Sequence, residues 1–162
     1  MEEKAFLSLG TLGGGNHFIE LDTDDDGNVY LVVHSGSRHL GKEVTEYYLT
    51  EGQKYLKNKG IHIPYEMTCL EGALMEAYLH DLEIVQEFAD LNRNIIIAEI
   101  VKGMRWKILE SYSCIHNYID FNTDIPIIRK GAIPAGKGEQ VIIPVNMRDG
   151  CIIGVGKGNP DW

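Results

Sequence analysis

Apolar positions along this chain change their period several times, and the changes mark its elements. β-forming residues run from His17 to Leu21 and again from Val29 to Val33, on either side of the turn cluster TDDDGN at Thr23 to Asn28. That pattern predicts a β-hairpin. From about His39 to Lys57 the period becomes helical. A loop from Lys59 to Met67 follows, and Thr68 with Glu71 has the spacing of a capping box ahead of a second long helix. On that helix Leu74, Tyr78, Leu82, Val85, Ala89 and Ile96 recur at three- and four-residue steps, which predicts one face packed on the core. Asn92 falls on the same stripe, where a buried amide needs partners. Asn92 and its neighbour Arg93 either tie the helix to a loop or reach a ligand, and structural tethering is the favoured reading. Helical signal fades by Ser111. Tyr112 to Phe121 reads as a strand with His116 and Asn117 in its middle, and short strands are expected near Ile125 to Arg129, Gln140 to Val145 and Cys151 to Val155. The class is α+β in a single domain over residues 1–162: mainly antiparallel strands carry the candidate chemistry, and helices from the 39–57 and 69–105 regions pack on one side.

Composition narrows the possibilities. With 162 residues and 44% hydrophobic content the chain can bury a core. No apolar run approaches membrane-spanning length, and the start MEEKAFLSLG lacks the basic flank and apolar stretch of a signal peptide, so a cytoplasmic location is expected. Cys69, Cys114 and Cys151 are odd in number and far apart, which argues for reduced thiols. A net charge of -9 argues against charge-driven coating of nucleic acid. The balance is uneven, however: residues 125–162 carry five basic and three acidic side chains. A phosphate-bearing partner would therefore meet a local site, not a broad basic face.

Two stretches concentrate chemistry. In GTLGGGNHFIE, from Gly10 to Glu20, a run of three glycines can bring bare N–H groups to an anion and delivers Asn16 and His17 at its rim. Glu20 adds a carboxylate three residues on. The plain alternative is a turn before a half-buried strand. In the second stretch a strand ends at His34 and runs through Ser35, Gly36, Ser37 and Arg38 into a helix. Ser37 can cap that helix and Arg38 can add a phosphate fork at its positive end, or the pair is an ordinary N-cap with a solvated arginine. His39, His62 and His80 read as structural or exposed. His17, His34 and His116 each sit on or at the end of a predicted strand, beside a loop or residue suited to phosphate. Three histidines can hold a divalent ion and leave positions open for substrate or further ligands. Cys114, two residues before His116, would share its face in a strand and could form a Cys/His metal pair, but is read as core.

LGTLGGGNHFIE, VHSGSRHLG, ADLNRN, HNYI, RKGAIPA, IPVNMRDG and GKGNPDW occur in this order over nearly the whole chain. In these phrases the chain resembles a central portion of an RtcB-type RNA ligase, the tRNA-splicing and RNA-repair ligase family. The resemblance implies a manganese- and GTP-dependent ligase that joins an RNA 3′-phosphate, or 2′,3′-cyclic phosphate, to a 5′-hydroxyl through a guanylylated histidine. It implies that His17, His34 and His116 are ligands to a pair of manganese ions. Asn16, His17, Phe18, Ile19 and Glu20, with His116 and Asn117, match GTP-contacting positions, as do Pro144, Val145, Asn146, Met147 and Cys151. Val145, Asn146 and Cys151 depart from the Gly-Ser and Ser of some relatives. Arg38, Arg129 and Lys130 are suited to the RNA backbone or phosphate ends, and an accessory activator is a further partner to consider.

The resemblance also implies parts that the chain lacks. The family's Asp and Cys ligands are expected before Met1, and its nucleophilic histidine in a phrase beyond Trp162, so no catalytic nucleophile is assigned here. The expectation is a partial ligase domain that is inactive alone, with apolar surface uncovered where other segments would pack. Two other classes compete: a non-catalytic metal- or nucleotide-binding module that needs a partner, and a metal-dependent phosphoesterase. The last would need carboxylates near the histidines, and Glu20 is the near candidate.

Overall fold

The computed structural model describes residues 2–122 and 124–159; Pro160 to Trp162, the end of the GKGNPDW phrase, lie outside the described residues. Elements run in the order α1 (Glu2–Ser8), β1 (Phe18–Thr23), β2 (Val29–His34), α2 (Arg38–Asn58), a 3-10 turn (Tyr65–Met67), α3 (Gly72–Met104), β3 (Asn117–Asp120), β4 (Ile127–Lys130), β5 (Gln140–Asn146) and β6 (Gly150–Val155). The strands form three two-stranded sheets, β1 with β2, β3 with β4 and β5 with β6. The α+β class with antiparallel pairs and two long helices is as expected from the sequence; α1 is additional. The chain divides into two compact units, residues 1–19 with 31–106 and residues 20–30 with 107–162.

The first unit is built on α2 and α3. Val44, Tyr48 and Val85 form its buried cluster, against which Leu40, Leu70, Leu74 and Tyr78 pack. Burying apolar side chains of this size contributes about 1.5–3 kcal/mol each. Burial, and then a 2.8 Å hydrogen bond from Tyr48 to Asp81 Oδ2, pushes the Tyr48 phenol up to about 12. Gly52 lets the loop before α3 close in, since a Cβ there would lie 2.6 Å from Thr68 Cγ2 and 2.7 Å from Leu70 Cδ2. Of the predicted stripe on α3, Val85, Asn92 and Ile96 are buried.

Two expected caps are absent. Ser37 occupies the N-cap position of α2 but makes no side-chain cap bond. Its Oγ lies where a Cβ on Gly41, one turn further along the same face, would fall. The capping box before α3 does not form either: the N-cap is Glu71, whose carboxylate is taken by Lys59, while Thr68 Oγ1 donates to Tyr65 O at 2.6 Å.

In the second unit, β3 and β4 pair antiparallel with Asn117 opposite Lys130 and Asp120 opposite Ile127. The strand predicted from Tyr112 to Phe121 is thus cut to four residues. Ladder partners extend only as far as β4, and residues 112–116 are irregular, so Cys114 and His116 do not share a strand face. β5 and β6 pair from Gln140 with Val155 to Asn146 with Gly150, with an irregularity between Pro144 and Asn146. Asn146 Oδ1 accepts the N–H groups of Arg148 and Asp149, both at 2.9 Å, and Gly150 takes a φ of 70° to close the turn.

A buried ion pair staples β3 to β4. Asp120 Oδ2 accepts from Arg129 Nε and Nη2, each at 2.9 Å, while Oδ1 accepts the Asn122 N–H at 3.0 Å. The Asn122 backbone first, and Arg129 next, hold the Asp120 carboxyl below its ordinary value. A carboxyl lowered on folding stabilises fully above its unfolded value of about 3.9, and the gain disappears as pH falls through the folded value. Asp120→Asn is therefore expected to lower the urea midpoint near neutral pH, whereas parent and variant converge once pH has fallen below the lowered Asp120 value. Circular dichroism at the two pH values checks this, and an unchanged neutral midpoint would refute the staple.

Candidate functional site

The glycine turn and the SGSR loop meet in the first unit. His17 immediately precedes β1 and His34 ends β2, so pairing of the two strands sets the rings edge to face with centroids 5.6 Å apart. Phe18 packs on His34 at 5.2 Å. His34 Nδ1 lies 2.9 Å from Asn16 O. A carbonyl can only accept, so Nδ1 carries the hydrogen; the neutral ring then has its lone pair on Nε2, the tautomer of a metal-bound imidazole. Burial first, then the neighbouring His34 and Arg38, lowers the His17 pKa against a raising contact with the Leu12 backbone, which favours the neutral ring.

Arg38 does not project as a solvated fork. Its Nε donates to Thr11 Oγ1 at 3.1 Å, and Nη1 lies 3.2 Å from Leu12 O and 3.4 Å from His17 Nδ1. Its φ is 55°, a left-handed value that costs a non-glycine residue about 1–2 kcal/mol. Gly13 makes room, because a Cβ there would fall onto the guanidinium. Asn92, with no exposed surface, binds both loops, as the tethering reading anticipated. Its Oδ1 accepts the N–H groups of Gly10 and Thr11, and its Nδ2 faces Thr11 O, Ser35 Oγ and Gly36 O at 3.0–3.3 Å.

A second assembly lies in the second unit. Glu20 and Asp22 share a face of β1 and meet Cys151 on β6, their ligand atoms all within 4.8 Å of one another, the one such group of three among the described residues. The Cys151 thiol donates to Glu20 Oε1 at 2.8 Å, and Asp22 Oδ2 is buried without a partner. Burial, the bond to Glu20 and its charge push the Cys151 thiol up to about 12. The two carboxylates can accept from N–H donors, and with the thiol proton released the three groups can also take a cation. Asp22 was missed from the sequence, although its place two residues after Glu20 puts both carboxylates on one strand face.

The other expected residues have the following places within their own units. His116 lies at the entry to β3, its carbonyl accepting the Ala132 N–H at 3.2 Å, and Asn117 Oδ1 accepts the Gly131 N–H at 2.9 Å. Pro144, Val145, Asn146 and Met147 are exposed at the end of β5 and in its turn, and Lys130 is exposed on β4. Arg129, expected to meet phosphate, has Nε and Nη2 on Asp120. Ile19 is half-buried between Phe18 and Glu20. His39 bonds Glu43 at 2.8 Å, and His62 and His80 are exposed. No helix among the described residues is long and apolar enough to cross a membrane.

Comparison with known proteins gives these arrangements a context. The family model described as tRNA-splicing ligase RtcB matches residues 1–162. RNA-splicing ligase RtcB1 of Escherichia coli strain ATCC 25922 and RNA-splicing ligase RtcB of Escherichia coli strain K12 are each 32% identical, over 96% of this chain and 43% of their own length. The tRNA-splicing ligase RtcB of Pyrobaculum aerophilum is 31% identical over 55% of this chain and 22% of its own length. The chain thus spans less than half the length of these curated relatives. No solved structure matches it.

The thiol environment is directly testable. Alkylation at mildly alkaline pH is expected to modify exposed Cys69 first and Cys151 last. Glu20→Gln removes the charged acceptor and is expected to speed labelling of Cys151, read by peptide mass spectrometry. Equal rates in parent and variant would refute the Cys151–Glu20 contact.

Proposed function

The chain belongs to the RtcB family, and on that premise we propose that it serves in joining an RNA 3′-phosphate, or 2′,3′-cyclic phosphate, to a 5′-hydroxyl in the cytoplasm. In this reading it supplies histidine ligands for manganese and contacts for GTP, with tRNA as the substrate that the names of its relatives point to. The observation that carries the reading is the His17–His34 pair: two adjoining rings, one with its Nδ1 hydrogen on a carbonyl and its lone pair on Nε2. His116 enters as the third ligand through its HNYI phrase alone. Imidazole nitrogen is a suitable donor for manganese, and the bound metal would supply positive charge opposite phosphate oxygens.

The chain's own residues have separable tasks. Asn16 orients His34 through its carbonyl, and the glycine turn offers backbone N–H groups to phosphate. Glu20, next to Cys151, presents a carboxylate to the N–H edge of a guanine. Phe18, Ile19, Asn117 and the 144–147 segment complete the nucleotide contacts. For RNA, Lys130 is the exposed cation, while Arg38 and Arg129 act through groups not engaged within the chain. A second reading, a metal- and nucleotide-binding module without catalysis, is favoured by those engagements of Arg38 and Arg129.

Calorimetry decides the first point. Manganese binding is expected for the parent and is expected to weaken about tenfold or more in His17→Ala, His34→Ala and His116→Ala. No heat in the parent, or unchanged affinity in all three variants, would sink the metal reading. Incubating the chain with GTP, manganese and RNA bearing the two end types separates the alternatives: joined product supports the ligase, and metal and GTP binding without product supports the module.

A further inference from the structure

We propose that Asn92, acting with Ser35, is a positioning residue that fixes the His34 tautomer; the use of that tautomer for metal rests on the functional reading above. The amide can sit in only one orientation. Oδ1 faces the Gly10 N–H at 2.8 Å and the Thr11 N–H at 3.2 Å, while Nδ2 faces Ser35 Oγ at 3.0 Å, Thr11 O at 3.1 Å and Gly36 O at 3.3 Å. Exchanging O and N would set donors against donors on one side and acceptors against acceptors on the other. Ser35 Oγ, having accepted from Asn92, passes its own hydrogen to Leu12 O at 2.8 Å. Arg93 Nη1 adds a hold on Ser35 O at 3.3 Å. One turn of α3 therefore pins residues 10–12 and residues 35–36 to each other.

These are the loops from which the histidine pair springs. His34 is covalently next to Ser35, and Asn16 lies four residues beyond Leu12. The bond from His34 Nδ1 to Asn16 O, 2.9 Å long, joins the residue before Ser35 to the end of the glycine turn that begins at Gly10. Its length depends on the loop separation that the amide sets from the buried side. Arg38 also spans the loops, through Thr11 Oγ1 and Leu12 O, but its Nε contact is exposed to competing water. Loosening the buried clamp frees Asn16 O to recede, which weakens the bond that holds hydrogen on Nδ1. Tethering alone would require only that the loops stay attached. Positioning requires that the tautomer change when the clamp is weakened.

Long-range proton–nitrogen spectra of the 15N-labelled, metal-free chain, at a pH where imidazole is neutral, read this directly. The parent is expected to show His34 with a protonated Nδ1 and a bare Nε2. Ser35→Ala and Asn92→Ala are expected to move His34 toward the mixed tautomers of a solvated ring while amide dispersion elsewhere is retained. Ser35→Ala is the milder change and serves if Asn92→Ala does not fold. A mixed tautomer in the parent, or the parent tautomer in a folded Ser35→Ala chain, overturns the proposal. Adding Mn2+ tests the metal reading separately: the parent's His17 and His34 signals should broaden, with affinity about 10–100-fold weaker in Ser35→Ala. A parent tautomer that is lost in Ser35→Ala, with no broadening in the parent, would defeat the metal reading and support the positioning role; broadening equal in parent and variant, with the tautomer unchanged, would defeat the positioning role.

Discussion

The side-chain amide of Asn92 holds the first unit's chemistry in place. A helix interior is an unpromising address for asparagine, whose side chain competes for backbone hydrogen bonds. Here the competition is turned outward. The backbone N–H groups of Gly10 and Thr11 and the carbonyls of Thr11 and Gly36 have left regular structure, and the amide satisfies them from a fully buried position in contacts that are themselves partly buried. Leaving one such buried group unmatched costs about 1–3 kcal/mol. Two loops, neither regular enough to place a side chain by itself, thus acquire a helix's rigidity.

That rigidity explains why a strained backbone persists next to it. Arg38 keeps a left-handed φ because its guanidinium is bonded to Thr11 and Leu12, and because Gly13 leaves the recess it fills. A cation beside His17 disfavours the charged ring. Glycine turn, arginine and histidine form one mechanical assembly in which each part requires the others' shape.

Much of this was legible in the sequence, and the illegible parts have physical reasons. Periodicity gave the hairpin and both long helices because α3 buries a continuous stripe and β1 and β2 flank an unmistakable turn cluster. Asn92 announced itself by standing on an apolar stripe. Ser37 and Thr68 departed from the pattern because cap-like spacing says nothing about where a hydroxyl turns; Thr68 donates back to the carbonyl of Tyr65, three residues earlier, instead of capping α3. The strand around His116 was overextended because a β-rich run pairs only as far as its partner reaches, and β4 is four residues long. The Glu20–Cys151 contact joins residues 131 apart in the chain, a distance that no local pattern encodes.

The β5–β6 hairpin carries VIIPV on one strand and CIIGV on the other, apolar on both faces, with Ile143, Val145 and Ile152 each about half exposed. Strands with that pattern ordinarily lie in the middle of a sheet, covered above and below. Among the described residues β5 and β6 pair with no third strand, so their outer edges are templates for strand addition. For anyone purifying this chain the consequence is colloidal: its solubility will depend on keeping those edges apart, through dilution or a cover, long before any chemistry at the histidines can be measured.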